Sequence, residues 1–336
     1  MAPPDLRPIE IAERLIGAPI ETLDPVGGGR NSRVYHVRSA RGEFALKQYP
    51  ARDQDPRDRL GAEWRALELM ARHGIDRVPL ALAADTEHGF ILLSWLDSAA
   101  PGPIGAKDID QAAGFLAQIH ALRGDPAAAA FGPASEACLS GDEIQRQIGQ
   151  RLARLHAVAA SEDRLHRFLD GPFAGLSERL FVQARSQLRD DFDAVLPIDR
   201  RSLVPSDFGF HNSLRRADGT LVFFDFEYFG WDDPVKLTAD IMLHPGTTLS
   251  PRLVQQFRRA AETLYGGDPG LGARLAAFLP LFGLRWVLIL LNEFLPDRWQ
   301  RRVAAGAVED WPAAKQRQLA RAQALLARLE ETQGGS

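Results

Sequence analysis

The segment VPSDFGFHNSLRRADGTLVFFDFE, residues 204–227, carries three oxygen-bearing side chains at spacings that suit chemistry at a metal ion: Asp207, Asn212 and Asp225. Two β-type runs flank Asp218-Gly219, a two-residue turn signal. That turn pairs residues whose numbers sum to 437 and sets Asn212 opposite Asp225, close enough for the two side chains to share one Mg²⁺. Asp207 precedes Asn212 by five residues, in a loop-like stretch containing Gly209. A carboxylate held there is placed to accept the proton of an attacking hydroxyl. Each residue taken singly is an ordinary turn or cap former; the combination is what points to chemistry.

A second constellation lies upstream. Lysine occurs only at Lys47, Lys107, Lys236 and Lys315, and Lys47 stands in the apolar run FALKQY. Residues 34–37 and 44–49 flank the turn Ser39-Ala40-Arg41-Gly42. This predicts a hairpin with pairs summing to 81 and Lys47 opposite Val34. Leu60, Trp64, Leu67 and Met70 or Ala71 recur at helical spacing and predict a helix over 58–72, stopped at His73-Gly74, with Glu63 inside it. A strand ammonium beneath a flexible loop suits phosphate groups, and a helix glutamate can fix its rotamer. The loop is Gly27-Gly28-Gly29-Arg30-Asn31-Ser32, which lacks both the G-x-G-x-x-G spacing and the G-K-[ST] of a Walker A loop. Its glycine N–H groups can still cover phosphates without side-chain obstruction.

Asp207-x4-Asn212-x12-Asp225 with a hairpin between the last two resembles the aminoglycoside phosphotransferase and choline kinase-like family, a branch of the protein kinase-like fold. The resemblance covers residues 25 to about 300. It implies an α+β, two-lobed protein: an antiparallel, five-stranded nucleotide-binding lobe over 1–94, a hinge over 95–103, and a helical catalytic and substrate-binding lobe over 104–336. It implies ATP-dependent transfer of the γ-phosphate of Mg-ATP to a hydroxyl of a small polar metabolite, such as a sugar, aminosugar, amino alcohol or aminoglycoside. In that reading Asp207 is the catalytic base, Asn212 and Asp225 hold Mg²⁺, and Lys47 paired with Glu63 aligns the phosphates. Gly28, Gly29, Asn31 and Ser32 belong to the phosphate loop, and backbone groups of Ser94 and Leu96 in ILLSWL meet adenine. Glu227, Asp232, Arg285, Asn292 and Glu293 are acceptor-site candidates; Asp232-Asp233 equally suits a cap on the following helix.

The sequence departs from the family pattern at two places. Pro205 stands where the family has a histidine that braces the catalytic loop, and Leu237 stands where members carry an aspartate, with Asp240 one helical turn further on. Pro205 and the irregular glycine loop motivate one rival, a nucleotide-binding pseudokinase that regulates a partner; a second rival is transfer of AMP.

The rest of the chain sets the frame. Its 336 residues are 45% apolar, enough for two packed lobes, and 44 acidic against 40 basic side chains give a charge of −4. No basic run marks a nucleic-acid binder. Cys138 is the single cysteine, so neither an internal disulfide nor a cysteine metal site is available. The amino terminus has no signal-peptide pattern, and a cytoplasmic setting without membrane association is expected. Residues 275–291 form the most apolar stretch, but Pro280 and Arg285 interrupt it and a buried helix is expected. Further helices are predicted over 109–122, 143–160 and 176–192; His120, in the first, reads as structural. The segment 123–141 reads as a mobile loop. Nothing in the sequence fixes the oligomeric state.

Overall fold

The computed structural model describes residues 7–27, 32–50, 55, 57–247, 249–304 and 310–334. In chain order its main elements are α1 (Pro8–Ile16), β1 (Ile20–Val26), β2 (Arg33–Ser39), β3 (Gly42–Gln48), α2 (Arg59–Arg72), β4 (Ala81–Asp85), β5 (Phe90–Ser94) and α3 (Ala106–Ala121). These are followed by α4 (Gly141–Ala159), α5 (Asp163–Phe168), α6 (Ala174–Leu188), β6 (Ser202–Val204), β7 (Ser213–Arg215), β8 (Leu221–Phe223) and β9 (Gly230–Asp232). The chain ends with α7 (Pro234–Leu243), α8 (Pro251–Leu264), α9 (Leu271–Leu290), α10 (Pro296–Ala304) and α11 (Trp311–Gly334). Two compact units result, Met1–Ser135 with Leu203–Trp231, and Glu136–Ser202 with Asp232–Ser336.

The first unit contains a five-stranded sheet in the order β1-β2-β3-β5-β4, antiparallel at every step. Val34 pairs with Lys47, the register read from the sequence. Apolar residues on one face of β2, β3 and β5, namely Val37, Leu46, Phe90 and Leu92, bury against Ile11, Ala12 and Ile16 of α1. Helix α2 starts where the Asp58 carboxylate accepts the Gly61 N–H, an N-cap that satisfies one orphan donor.

A second core of the same unit fixes the short hairpin β7–β8. The Phe115 ring of α3 lies 4.6 Å from Phe223, 5.7 Å from Phe208 and 6.2 Å from Phe226. Polar ties reinforce this packing: Arg215 Nη1 donates to Asp108 Oδ1 at 2.7 Å, and Leu221 N–H donates to Gln111 Oε1 at 2.8 Å. The turn differs from expectation. Gly219 N–H bonds the Arg216 carbonyl and Arg216 N–H bonds that of Thr220, enclosing three residues rather than two. Gly219 takes φ +89°, the left-handed geometry such a three-residue loop demands. Pairs therefore sum to 436, Ser213 faces Phe223, and the Asn212 carbonyl accepts the Phe224 N–H. Asn212 is not opposite Asp225.

Segment 123–141 also differs from the loop expected. It contains two 3₁₀ turns, and within the first unit Ala134 N–H bonds the Trp231 carbonyl while Trp231 Nε1 donates to the Ala128 carbonyl. In the second unit α9 is a core helix packed against α4, α6, α7 and α11. Its length and composition would suit a membrane span, yet 72% of its apolar window is buried in the protein.

Removing the ring that organises the hairpin, Phe115→Ala, should cost about 3–5 kcal/mol, read as a lowered urea midpoint. A second prediction concerns His120 on α3. Burial, with Arg123 adding to it, pushes this imidazole from 6.5 down to about 4. The unfolded ring therefore binds a proton in that window while the folded one does not. Stability from the neutral ring is whole above 6.5 and is lost as pH falls to about 4. His120→Gln should flatten that part of the urea-midpoint-versus-pH curve.

Candidate active site

Lys47 sits at the centre of a buried polar cluster. Strand β3 turns it inward beside Tyr49, two residues on and so on the same face. Lys47 Nζ donates to Glu63 Oε2 at 2.6 Å and Asp225 Oδ1 at 2.7 Å, and lies 3.2 Å from Glu227 Oε2. Glu63, on α2, is 1% exposed and fully occupied: it also receives the Tyr49 hydroxyl and, at 3.2 Å, the Phe226 N–H. One turn earlier on the same helical face is Arg59, whose Nη1 donates to Glu227 Oε1 at 2.5 Å while its other nitrogens hold Asp55. Ser32 Oγ donates to Glu227 Oε2 at 2.8 Å.

The charges do not balance. Glu63, Asp225 and Glu227 set three carboxylates against the cations of Lys47 and Arg59, leaving one negative charge in excess. Burial alone would push the Lys47 ammonium down, but Glu63, Asp225 and Glu227 outweigh it and hold it well above the ordinary range. Asp225 absorbs the excess: burial raises its carboxyl to about 7, against the pull of Lys47 and with Glu227 and Glu63 adding to the rise. Burial also works against the Glu227 carboxylate, but Lys47 and Arg59 prevail and keep it below its usual value. An excess carboxylate of intermediate proton affinity, among hard oxygen donors, is the chemistry that a Mg²⁺ ion satisfies.

Asp207 is reached from Asp225 through Asn212. The Phe224 N–H bonds the Asn212 carbonyl, and Asn212 Nδ2 donates to the Asp207 carbonyl at 2.8 Å, an orientation that turns its own amide oxygen away from that bond. Asp207 N–H bonds the Pro205 carbonyl across Ser206 at φ +64°, a γ-turn of the strained hand. Ser206 Oγ secures the turn on the Ser135 carbonyl at 3.0 Å. Asp225 also holds φ +70°. Positive φ at these two non-glycine residues costs free energy that the surrounding hydrogen bonds must offset.

Four residues of this cluster were not singled out in the sequence: Tyr49, Asp55, Arg59 and His211. His211 Nε2 lies 3.2 Å from Asp207 Oδ1, and a side chain at position 209 would bring its Cβ within 2.8 Å of the His211 ring, so that ring would have to move aside. Tyr49 and Arg59 had a legible signal, the two-residue strand period from Lys47 and the four-residue helix period from Glu63. His211 and Asp55 had none, since loop closure alone brings them in.

Of the remaining candidates, Gly28, Gly29 and Asn31 lie outside the described residues. Ser94 spends its N–H on the Leu80 carbonyl and its hydroxyl on the Leu80 N–H, whereas Leu96 lies two residues beyond the strand. Glu227 is buried in the Lys47 cluster rather than facing solvent.

In the second unit, Asp232 is fully buried and its Oδ1 accepts the N–H groups of Cys138 and Asp233, while Asp233 caps α7. Lys236 lies 3.4 Å from Asp232 and 3.3 Å from Asp240. Arg285 reaches Asp240 at 3.3 Å and Glu136 at 2.6 Å, and Trp286 Nε1 donates to Asp240 at 2.8 Å. Asp232 and Arg285 thus share one ionic network. Asn292 and Glu293 are held elsewhere, Asn292 accepting the Leu295 N–H and Glu293 pairing with Arg302 at 2.5 Å.

Comparison with known proteins identifies the fold and the family. No curated protein matches the sequence. Among solved structures the chain is similar to a spectinomycin phosphotransferase in complex with ADP and spectinomycin, at 14% identity and TM-score 0.61 over 96% of this chain and 97% of that one. It is similar to a macrolide 2′-phosphotransferase from Brachybacterium faecium, at 19% identity and TM-score 0.55 over 90% and 97%. A choline kinase from Streptococcus pneumoniae gives 17% identity and TM-score 0.55 over 95% and 98%. These likenesses establish the two-lobed, protein kinase-like α+β fold, with its antiparallel sheet region and helical region. The model of the phosphotransferase enzyme family (APH) matches residues 22–271, and the chain therefore belongs to that family and is a phosphotransferase.

Proposed function

We propose that the protein transfers the γ-phosphoryl group of Mg-ATP to a hydroxyl of a small polar metabolite, a sugar, aminosugar, amino alcohol or aminoglycoside. The observation that supports this best is the buried Lys47–Glu63 pair with Asp225 on the same ammonium, while the neighbouring Phe224 N–H bonds Asn212, whose amide in turn holds Asp207 on its strained turn. In this reading residues 1–94 bind the nucleotide, 95–103 form the hinge, and 104–336 carry catalysis and the acceptor. Lys47 passes from Asp225 to the phosphates when ATP binds, with Glu63 and Tyr49 keeping the ammonium aimed. Asn212 and Asp225 would hold Mg²⁺, which when bound neutralises phosphate charge. Asp207 orients the acceptor hydroxyl and accepts its proton. Leu96 rather than Ser94 offers the backbone N–H for adenine, since Ser94 has committed its own. The acceptors named for the similar structures, spectinomycin, macrolide and choline, support a small-molecule alcohol as the class.

The test is incubation with Mg-ATP and a panel of such alcohols, following ADP and AMP separately. Acceptor-dependent ADP is expected, and Asp207→Ala should lower it about 10²–10⁴-fold while ATP binding persists. Tight ATP binding without turnover on any acceptor would make the chain a nucleotide sensor, and AMP release would make it an AMP transferase. Lys47→Ala with unchanged ATP binding and turnover would overturn the nucleotide site.

Arg59 gives a separate expectation. Without its guanidinium, Glu227 becomes a stronger competitor for Lys47, so Arg59→Gln should raise KM for ATP by roughly tenfold, about 1.4 kcal/mol. KM for the acceptor should stay unchanged and Arg59→Lys should recover part of the loss. Equal changes in both KM values would show that Arg59 acts only through global stability.

A further inference from the structure

Two imidazoles and a carboxylate converge at a corner of the helical unit. His156 lies in the last turn of α4, His166 in α5, and Asp170 in the π-helical turn Leu169–Phe173 into which α5 runs. His166 Nδ1 is 3.0 Å from Asp170 Oδ2, His156 Nδ1 is 3.7 Å from Asp170 Oδ1, and the three groups offer ligand atoms all within 4.8 Å of one another.

We propose that His156, His166 and Asp170 bind one late first-row divalent cation, of which Zn²⁺ is the type, at a site separate from the phosphotransfer residues. A residue pair four apart on a helix presents two ligands on one face, the spacing seen in helical zinc motifs. An isolated His166–Asp170 contact would be an ordinary surface pair worth a few tenths of a kcal/mol. That does not account for a second imidazole, from a different helix, aimed at the other oxygen of the same carboxylate. The 3.7 Å contact is too long for a hydrogen bond. With metal–ligand bonds of about 2.1 Å in tetrahedral array, ligand atoms lie about 3.4 Å apart; one ligand atom from each of the three side chains lies within 4.8 Å of the other two, a spread that small rotations of these exposed groups would close.

Other features agree. Each side chain is substantially exposed, so an ion arrives from solvent without any opening of the fold. Asp170 is carried by a π-helical turn, a rare geometry associated with functional positions. Imidazole nitrogen favours zinc, copper, nickel or cobalt over Mg²⁺, so the site does not compete for the ion of the nucleotide. Three protein ligands leave one position for water, and the bound ion would staple α4 to α5 across the short link 160–162.

The experiment is calorimetric titration of the untagged chain with ZnCl₂ in excess Mg²⁺, which occupies oxygen-donor sites. Saturable uptake of one ion is expected, lost by roughly tenfold or more in affinity in His166→Ala and in Asp170→Asn, with circular dichroism unchanged in both. Zn²⁺ should raise the Tm of the native chain and leave that of Asp170→Asn unmoved. Absence of saturable uptake, or equal uptake by the native chain and both variants, would overturn the site. Neither result depends on whether the chain phosphorylates an alcohol.

Discussion

An ammonium group buried among more carboxylates than it can neutralise is the constraint on which the rest of the first unit depends. Lys47 is 5% exposed and Glu63 1%. An ammonium in that position persists only while its partners remain in place, because an uncompensated buried charge is far more costly than the pair. The pair therefore ties β3 to α2, and the Phe226 N–H on Glu63 ties both to the segment after β8. Arg59 extends the tie by holding Glu227, so a helix, a strand and the end of a hairpin are joined through fixed charges. Such a cluster stabilises the chain little, if at all, relative to an apolar core of the same shape. What it confers is a prepared excess of one negative charge at Asp225, the residue of the three carboxylates with the most accessible side chain.

Backbone strain falls where this cluster meets the loop. Ser206 and Asp225 both take positive φ, and both adjoin groups to which the proposed chemistry assigns a role. Strained turns persist only where the surroundings over-determine them. Here Ser206 is secured by Ser135, Asn212 by Asp207 and the hairpin by Arg215, Gln111 and the Phe115 ring. Pro205 fits this picture: its carbonyl accepts the Asp207 N–H, and its fixed φ lowers the entropy lost in forming the turn.

What the sequence reveals depends on whether local periodicity or tertiary closure governs a residue. The Val34–Lys47 register follows from a short turn and alternation, and both are visible in the letters. Helix α2 follows equally from its apolar spacing and the Asp58 cap. The β7–β8 register failed by one residue because Asp218-Gly219 serves a two-residue and a three-residue turn alike, and only the Arg216 hydrogen bonds distinguish them. Tyr49 and Arg59 were legible through period two and period four from residues already identified. His211 was not, since its contact with Asp207 is made by a loop with no period. Segment 123–141 looked mobile because its order comes from hydrogen bonds to residues some hundred positions away, such as Trp231.

The ionic network of the second unit obeys a different balance. Arg151, Lys236 and Arg285 face Glu136, Asp232 and Asp240, three cations against three carboxylates, alternating in one chain of contacts from Arg151 to Asp232. Burial pushes the Glu136 carboxyl up, but Arg285 and Arg151 outweigh it and hold it at about 2, while burial lifts Asp232 to about 6. Cations and carboxylates are equal in number here, so this network leaves no carboxylate in excess. The cluster around Lys47 does. Both networks are built from Lys or Arg against Asp or Glu, and they are distinguished by whether the carboxylates outnumber their partners.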